Sequence, residues 1–114
     1  MPTATEIPTI DATETKKRLD SGATVINALS AESFAKKHIP GTVNIPTDEV
    51  EERAETALPD TDMEIITYCA ETDCPASMNA AKKLREMGYT NVTDFEAGLK
   101  GWKEAGFPLE GEEV

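Results

Sequence analysis

Glu64-Ile65-Ile66-Thr67-Tyr68-Cys69-Ala70-Glu71-Thr72-Asp73-Cys74-Pro75 is the stretch whose reading decides the fold. Its first five residues are largely β-branched or aromatic, the composition of a central strand. A polar stretch from Ala70 to Asp73 follows, and Pro75 suits the first turn of a helix, where a backbone N–H has no partner to lose. Beyond it Ala80, Ala81, Leu84 and Met87 recur at helical spacing as an inward stripe. Gly88 offers a left-handed cap, with Tyr89 placed to fold back as its apolar contact. Asn91 to Phe95 then reads as another strand. Strands separated by a helix cannot pair as a tight hairpin, so these two are expected to lie parallel.

The same alternation extends in both directions. Upstream, Thr24-Val25-Ile26-Asn27-Ala28 reads as a buried strand, Val43-Asn44-Ile45 as a short strand ended by Pro46, and Ile7 to Ile10 as a further short strand. Asp11 is a candidate N-cap with Glu14 three residues on, and Gly22 stops that helix. Ser30 can cap a helix carrying Phe34 and Ala35 inward, and Pro40-Gly41 makes a turn. Val50, Ala54, Ala57 and Leu58 form the apolar stripe of a helix over 48–58, closed by Pro59-Asp60. Downstream, a short helix over 99–104 holds Trp102 and ends at Gly106 and Pro108. The pattern predicts an α/β protein with a mostly parallel central sheet of about five strands, right-handed connections and helices on both faces. No repeat, low-complexity tract or linker divides the 114 residues, so residues 1–114 are expected to form a single domain.

Composition narrows the function. Two cysteines, Cys69 and Cys74, are too few for a secreted disulfide scaffold. No basic leader with an apolar core opens the sequence, and no apolar run approaches the roughly 20 residues that cross a bilayer, so a soluble cytoplasmic protein is expected. Twenty-two acidic residues against eleven basic ones give a net charge of −11, which repels phosphate backbones and anionic lipid; neither nucleic acid nor membrane is an expected partner. The acid is densest over 48–64, which reads as a solvated helix face and loop in preference to a docking patch.

Parallel sheets gather their chemistry at the carboxyl ends of their strands. Cys69 occupies that place, just past Tyr68 and before the helix beginning near Pro75. Inward-pointing loop N–H groups and the positive end of a helix dipole stabilise a thiolate, the reactive form of cysteine. Glu71 and Asp73 oppose them by like-charge repulsion, and no Lys or Arg occurs between Cys69 and Ala81. By position alone Cys69 is either a reactive thiol or a buried small apolar residue.

Three blocks of sequence resemble the single-domain rhodaneses, the sulfurtransferase module. The first runs through Val25-Ile26-Asn27-Ala28-Leu29-Ser30, Glu32, Phe34 and His38-Ile39-Pro40-Gly41-Thr42-Val43-Asn44-Ile45-Pro46. Ile65-Ile66-Thr67-Tyr68-Cys69 is similar to the strand that delivers the family's catalytic cysteine. Leu84 through Tyr89, Asn91-Val92, Phe95-Glu96-Ala97-Gly98-Leu99 and Trp102 are similar to its closing block. The resemblance covers nearly the whole chain. It implies that Cys69 takes sulfane sulfur from a donor as a persulfide and passes it to a nucleophilic acceptor, splitting one transfer into two steps. It also implies that Ala70, Glu71, Thr72 and Asp73 form the loop that cradles the sulfur through N–H donors. The donor it implies is a small-molecule or protein persulfide and the acceptor a thiol; it calls for no cofactor. A zinc site would need four ligands, which two cysteines and a single histidine do not supply.

Departures from the family pattern bear on specificity. The family's loop usually carries basic residues and ends at an arginine; here it reads Cys69-Ala70-Glu71-Thr72-Asp73-Cys74-Pro75-Ala76-Ser77, with a Cys-x4-Cys pair, without that arginine and about two residues longer before the helix. Its charges are negative, which predicts weak use of doubly charged thiosulfate. Asn27 and Leu29 stand where an aspartate and an arginine are usual, so a supporting ion pair is expected to be missing. Cys74 is a second thiol: it could resolve the persulfide, act as a redox partner, or simply fill space at the helix start. His38 is expected to bond backbone at a helix end, and Phe95, Trp102 and Phe107 to pack the core. A phosphatase or arsenate reductase of related fold would clamp its oxyanion with a loop arginine, and the nearest one downstream, Arg85, lies too far along the helix. The functional expectation is a sulfurtransferase acting through Cys69; the alternative is a non-catalytic or redox-sensing rhodanese-like module using the Cys69/Cys74 pair.

Overall fold

The structure, a computed structural model, describes residues 7–70 and 74–112. In chain order it contains α1 (Ala12–Asp20), β1 (Thr24–Asn27), α2 (Ala31–Lys36), β2 (Val43–Asn44), a 3-10 turn over Thr47–Glu49, α3 (Val50–Ala57), β3 (Ile65–Tyr68), α4 (Ala76–Glu86), β4 (Val92–Phe95) and α5 (Gly98–Glu104). The caps read from sequence are in place. Asp11 Oδ1 accepts the Glu14 N–H at 2.9 Å, and Ser30 Oγ accepts the Ser33 N–H at 3.2 Å. Gly22 and Gly88 follow their helices with φ of +108° and +105°, a region open to glycine without a Cβ clash.

The strands form one parallel sheet in the order β2-β1-β3-β4. The fifth expected strand is reduced to a bridge. Over Ile7 to Ile10 only Thr9 pairs with Asp94, through Asp94 N–H to Pro8 O at 2.9 Å and Ile10 N–H to Asp94 O at 3.1 Å. Pro8 has no N–H to extend the ladder, so the segment stays an edge bridge. Three inward assignments also change. Ala35 is exposed and Phe34 only half-buried: α2 buries none of its residues, and Phe34 stacks on His38 at 3.9 Å between ring centroids. Ala57 is exposed, while Val50, Ala54 and Leu58 are buried as expected.

Strand side chains alternate between faces, and the two faces have separate cores. Ile26, Ile65 and Val92 pack with Val50, Ala54, Ala80, Ala81 and Leu84 of α3 and α4. Val25, Ile66, Tyr68 and Phe95 pack with Ala12 and Trp102 on the α1 and α5 side. The same alternation sends Thr67, and Cys69 just beyond the strand, toward α4. Asp94, two residues beyond Val92, faces α4 as well, next to Thr67 in the ladder. Register brings Asn27, Tyr68 and Phe95 level at the carboxyl edge. The chain runs from β1 outward to β2 and then returns to β3 on the other side, so the switch point of the sheet lies between β1 and β3, where Cys69 emerges.

The fully buried Tyr68 ties this edge to the segment after α2. Its hydroxyl accepts the Ile39 N–H at 3.0 Å and lies 2.9 Å from Thr42 Oγ1. Tyr68→Phe leaves the buried Ile39 N–H without an acceptor, and a urea melt is expected to register a loss of about 1–3 kcal/mol.

Candidate active site

Cys69 has no solvent-exposed surface, yet its sulfur does not sit in hydrocarbon. Sγ lies 3.3 Å from the Cys74 carbonyl oxygen and 3.4 Å from Ser77 Oγ; with one proton the thiol donates to one of them at a time. The Ser77 N–H, in the first turn of α4, also approaches the sulfur. This is the helix N-terminus expected from sequence. Burial, first, and the neighbouring Cys74 thiol push Cys69 up to about 11, against the lowering effect of Ser77. The resting form at neutral pH is therefore the thiol.

The backbone at Cys69 is clamped from the other side. The carbonyls of Cys69 and Ala70 accept the N–H groups of Leu99 and Lys100, each at 2.9 Å. Such close approach of α5 depends on Gly98, whose φ is +60° and where a Cβ would overlap the Cys69 carbonyl.

Behind the sulfur lies a buried polar group absent from the sequence reading. Asp94 is 1% exposed and its carboxylate accepts the Thr67 hydroxyl at 3.0 Å. Burial raises the Asp94 pKa, the nearby Ser77 and Thr67 hydroxyls lower it, and the Glu96 charge raises it further.

Of the other candidate residues, Cys74 is half-buried with a free thiol, and Ala70 is half-buried on the cavity described below. Glu71, Thr72 and Asp73 lie outside the described residues. His38 is structural as expected: Nδ1 lies 2.7 Å from Phe34 O and Nε2 2.9 Å from Glu110 Oε1. Asn27 stands in for the usual aspartate by accepting the Leu29 N–H on Oδ1 at 2.8 Å, a turn contact that needs no ion pair.

A cavity of about 300 Å³ opens beside Ala70, lined by Lys37, Leu99, Lys100, Lys103 and Leu109. Among the described residues none of these three lysines is in an ion pair. Sequence reading found no cation in the loop; the fold supplies them from α5 and from the end of α2.

A cysteine emerging at the switch point of a four-stranded parallel sheet, gripped by the first turns of two helices, coincides with a family match. The rhodanese-like domain profile matches residues 11–105. This chain belongs to the rhodanese-like domain family. The rhodanese-like chain is 41% identical over 69 residues to the thiosulfate sulfurtransferase PspE of Escherichia coli, covering 60% of this chain and 64% of that protein. It is 30% identical over 101 residues to the putative sulfur carrier protein YrkF of Bacillus subtilis, covering 87% of this chain and 52% of that protein. The chain thus spans about half to two thirds of these relatives' length. Among solved structures it is similar to the Alr3790 protein of Anabaena, with a TM-score of 0.81 and 29% identity over 92% of this chain and 94% of that one. The BH2092 protein of Bacillus halodurans superposes with a TM-score of 0.84 at 25% identity, over 93% of this chain and 78% of that one. These relatives support sulfur transfer as the general activity of the family members this chain resembles.

Ser77, Asp94 and Gly98 were missed as site residues because each is ordinary in local sequence. An aspartate within Val92-Thr93-Asp94-Phe95 was the one available signal, since a charged residue in a strand buried at every position needs a reason. Gly98→Ala is expected to cost at least about 2 kcal/mol in a denaturant melt and to displace the Cys69 carbonyl, because positive φ and steric overlap both resist a Cβ.

Proposed function

We propose that this rhodanese-like domain is a sulfurtransferase that carries sulfane sulfur as a persulfide on Cys69. The observation that carries the reading is the Cys69 sulfur at the carboxyl end of β3, beside the N–H and hydroxyl of Ser77. In the first step the Cys69 thiolate attacks the outer sulfur of a donor persulfide R–S–SH. The donor S–S bond breaks, a new one forms to Cys69, and RS⁻ leaves. In the second step an acceptor thiolate attacks the outer sulfur of Cys69–S–SH and restores the Cys69 thiolate. Ser77, from the first turn of α4, supplies donors that suit a negatively charged sulfur in both steps.

Charge around the site favours one class of donor. Glu71 and Asp73 follow Cys69 by two and four positions along the chain, so a charge adjacent to the reacting sulfur, as in thiosulfate, meets repulsion. Charges remote from that sulfur meet Lys37, Lys100 and Lys103 around the cavity instead. A small thiol carrier with carboxylates away from its sulfur satisfies both conditions, and glutathione persulfide is a suitable probe. Reversing charge in Lys100→Glu/Lys103→Glu is expected to slow loading from glutathione persulfide about five- to tenfold and to leave loading from the uncharged 2-mercaptoethanol persulfide nearly unchanged, as the loss of two solvent-exposed ion pairs would.

The Cys74 carbonyl 3.3 Å from the thiol brings the second cysteine close enough to favour a companion reading. The Cys74 thiolate attacks the inner sulfur of Cys69–S–SH, expels HS⁻ and leaves a Cys69–Cys74 disulfide. Intact-mass spectrometry after exposure to glutathione persulfide tests both. One added sulfur atom is expected, absent in Cys69→Ser and longer-lived in Cys74→Ser. No adduct from any donor would overturn sulfur transfer, and equal persulfide lifetimes in wild type and Cys74→Ser would overturn the role of Cys74.

A further inference from the structure

The only histidine takes no part in the persulfide chemistry, yet it joins two segments that border the lysine-rimmed cavity. His38 and Glu110 face each other across an isolated antiparallel bridge and exchange both backbone bonds, His38 N–H to Glu110 O and Glu110 N–H to His38 O, each at 2.9 Å. Their side chains add a contact of 2.9 Å between Nε2 and Glu110 Oε1. The imidazole is fixed further by Phe34 O and by stacking on the Phe34 ring. Two residues on, the Glu112 N–H bonds Ala35 O at 2.9 Å. Gly111, with φ of +135°, permits this approach, since a Cβ there would overlap the Lys36 carbonyl.

The bridge decides what one wall of the cavity presents. Lys37 leaves α2 with extended dihedrals, φ −152° and ψ 131°, instead of continuing the helix. Side chains alternate along paired extended segments, so Lys37 and Leu109 share the face opposite His38 and Glu110. Both of them line the cavity. Lys36 is paired with Glu32 at 3.6 Å, whereas Lys37, like Lys100 and Lys103 of α5, has no carboxylate partner among the described residues. The Glu110 side chain is 57% exposed, and an ion pair so open to solvent adds little to stability. Its consequence is local placement.

We propose that His38 and Glu110 are positioning residues that set the cavity's preference for carboxylate-bearing thiols, by holding Lys37 and Leu109 in the wall that completes the rim with Lys100 and Lys103. Neither residue touches the ligand: Lys37 supplies charge and Leu109 apolar surface. A lysine is a point charge on a flexible stem, so a ligand gains most from one whose backbone is already fixed before binding. Helix α5 fixes Lys100 and Lys103, and the bridge does the same for Lys37. The choice of a carboxylate-bearing thiol as ligand rests on the sulfur-transfer reading; the bridge adds which residues enforce that choice.

The test uses S-methylglutathione, which keeps both carboxylates of glutathione but has no thiol, so binding is read without sulfur transfer. Its diethyl ester lacks the carboxylates. Affinities for both are measured on the intact protein by titration followed through the nuclear magnetic resonance of the backbone amides. Wild type is expected to bind S-methylglutathione about tenfold more tightly than the ester, and Glu110→Ala to cut that ratio about two- to threefold. Glu110→Gln keeps a group that pairs with Nε2 in either protonation state of His38, and is expected to restore the wild-type ratio. Lys37→Ala is expected to match Glu110→Ala, and adding it to Glu110→Ala to change the ratio by less than about 1.5-fold. Circular dichroism confirms folding; Gly111→Ala obstructs the same approach and serves in place of a Glu110→Ala protein that does not fold. A wild type without preference overturns the proposal, as does a ratio that Glu110→Gln fails to restore. Equal weakening of both probes in Glu110→Ala overturns it by showing a general loosening, and multiplying effects of Lys37→Ala and Glu110→Ala overturn it by showing separate routes. If the ratios follow expectation but no donor loads a persulfide, sulfur transfer falls and the positioning role stands.

Discussion

The backbone of Cys69 is held between two helices that approach it from opposite sides of the sheet, and the chemistry of the site depends on that grip. The first N–H groups of α5 bond the carbonyls of Cys69 and Ala70, while the first turn of α4 meets the sulfur. Neither contact survives a shift in the parallel register, because slipping β3 by one residue would turn Cys69 toward Trp102 and Tyr68 toward α4. The buried Tyr68 hydroxyl, bonded to Ile39, resists such a slip. So does Gly98, whose missing side chain lets α5 come within hydrogen-bonding reach.

Opposed electrostatic effects meet at the sulfur. A helix N-terminus and a serine favour the thiolate, but desolvation outweighs them and leaves a protonated thiol with a pKa near 11. A thiol hidden in this way is protected from adventitious oxidation, since oxidation follows thiolate character and exposure. Burial raises the Asp94 carboxyl on the same face of the sheet as well.

Charge is distributed in a way that total composition conceals. With a net charge of −11 the chain looks hostile to anions, yet three of its lysines border one cavity beside the Cys69 loop. Lys37 follows α2 and the other two belong to α5, so only folding brings them together. Local sequence around the cysteine speaks for repulsion, and tertiary structure adds an attractive rim a short distance away.

Periodicity and punctuation were enough to determine the class of fold. The β-branched run before Cys69, the Pro75 start, the Gly88 stop and the caps at Asp11 and Ser30 are local features with local causes, and each stands where its chemistry predicts. The place of Cys69 at a strand end was legible for the same reason, since a strand-to-helix transition marks the carboxyl edge of a parallel sheet. Other features required partners distant in sequence. Ile7 to Ile10 has a strand's composition but only a bridge to Asp94, because Pro8 cannot carry a ladder. Ala35 has an apolar side chain but no neighbour to cover it. Ser77, Asp94, Gly98 and the three lysines acquire roles only through register and helix docking. Propensity is a property of neighbouring residues along the chain, whereas a thiol's acidity and the charge around it are set by whatever the fold packs beside it, and that is why the structure alone decided them.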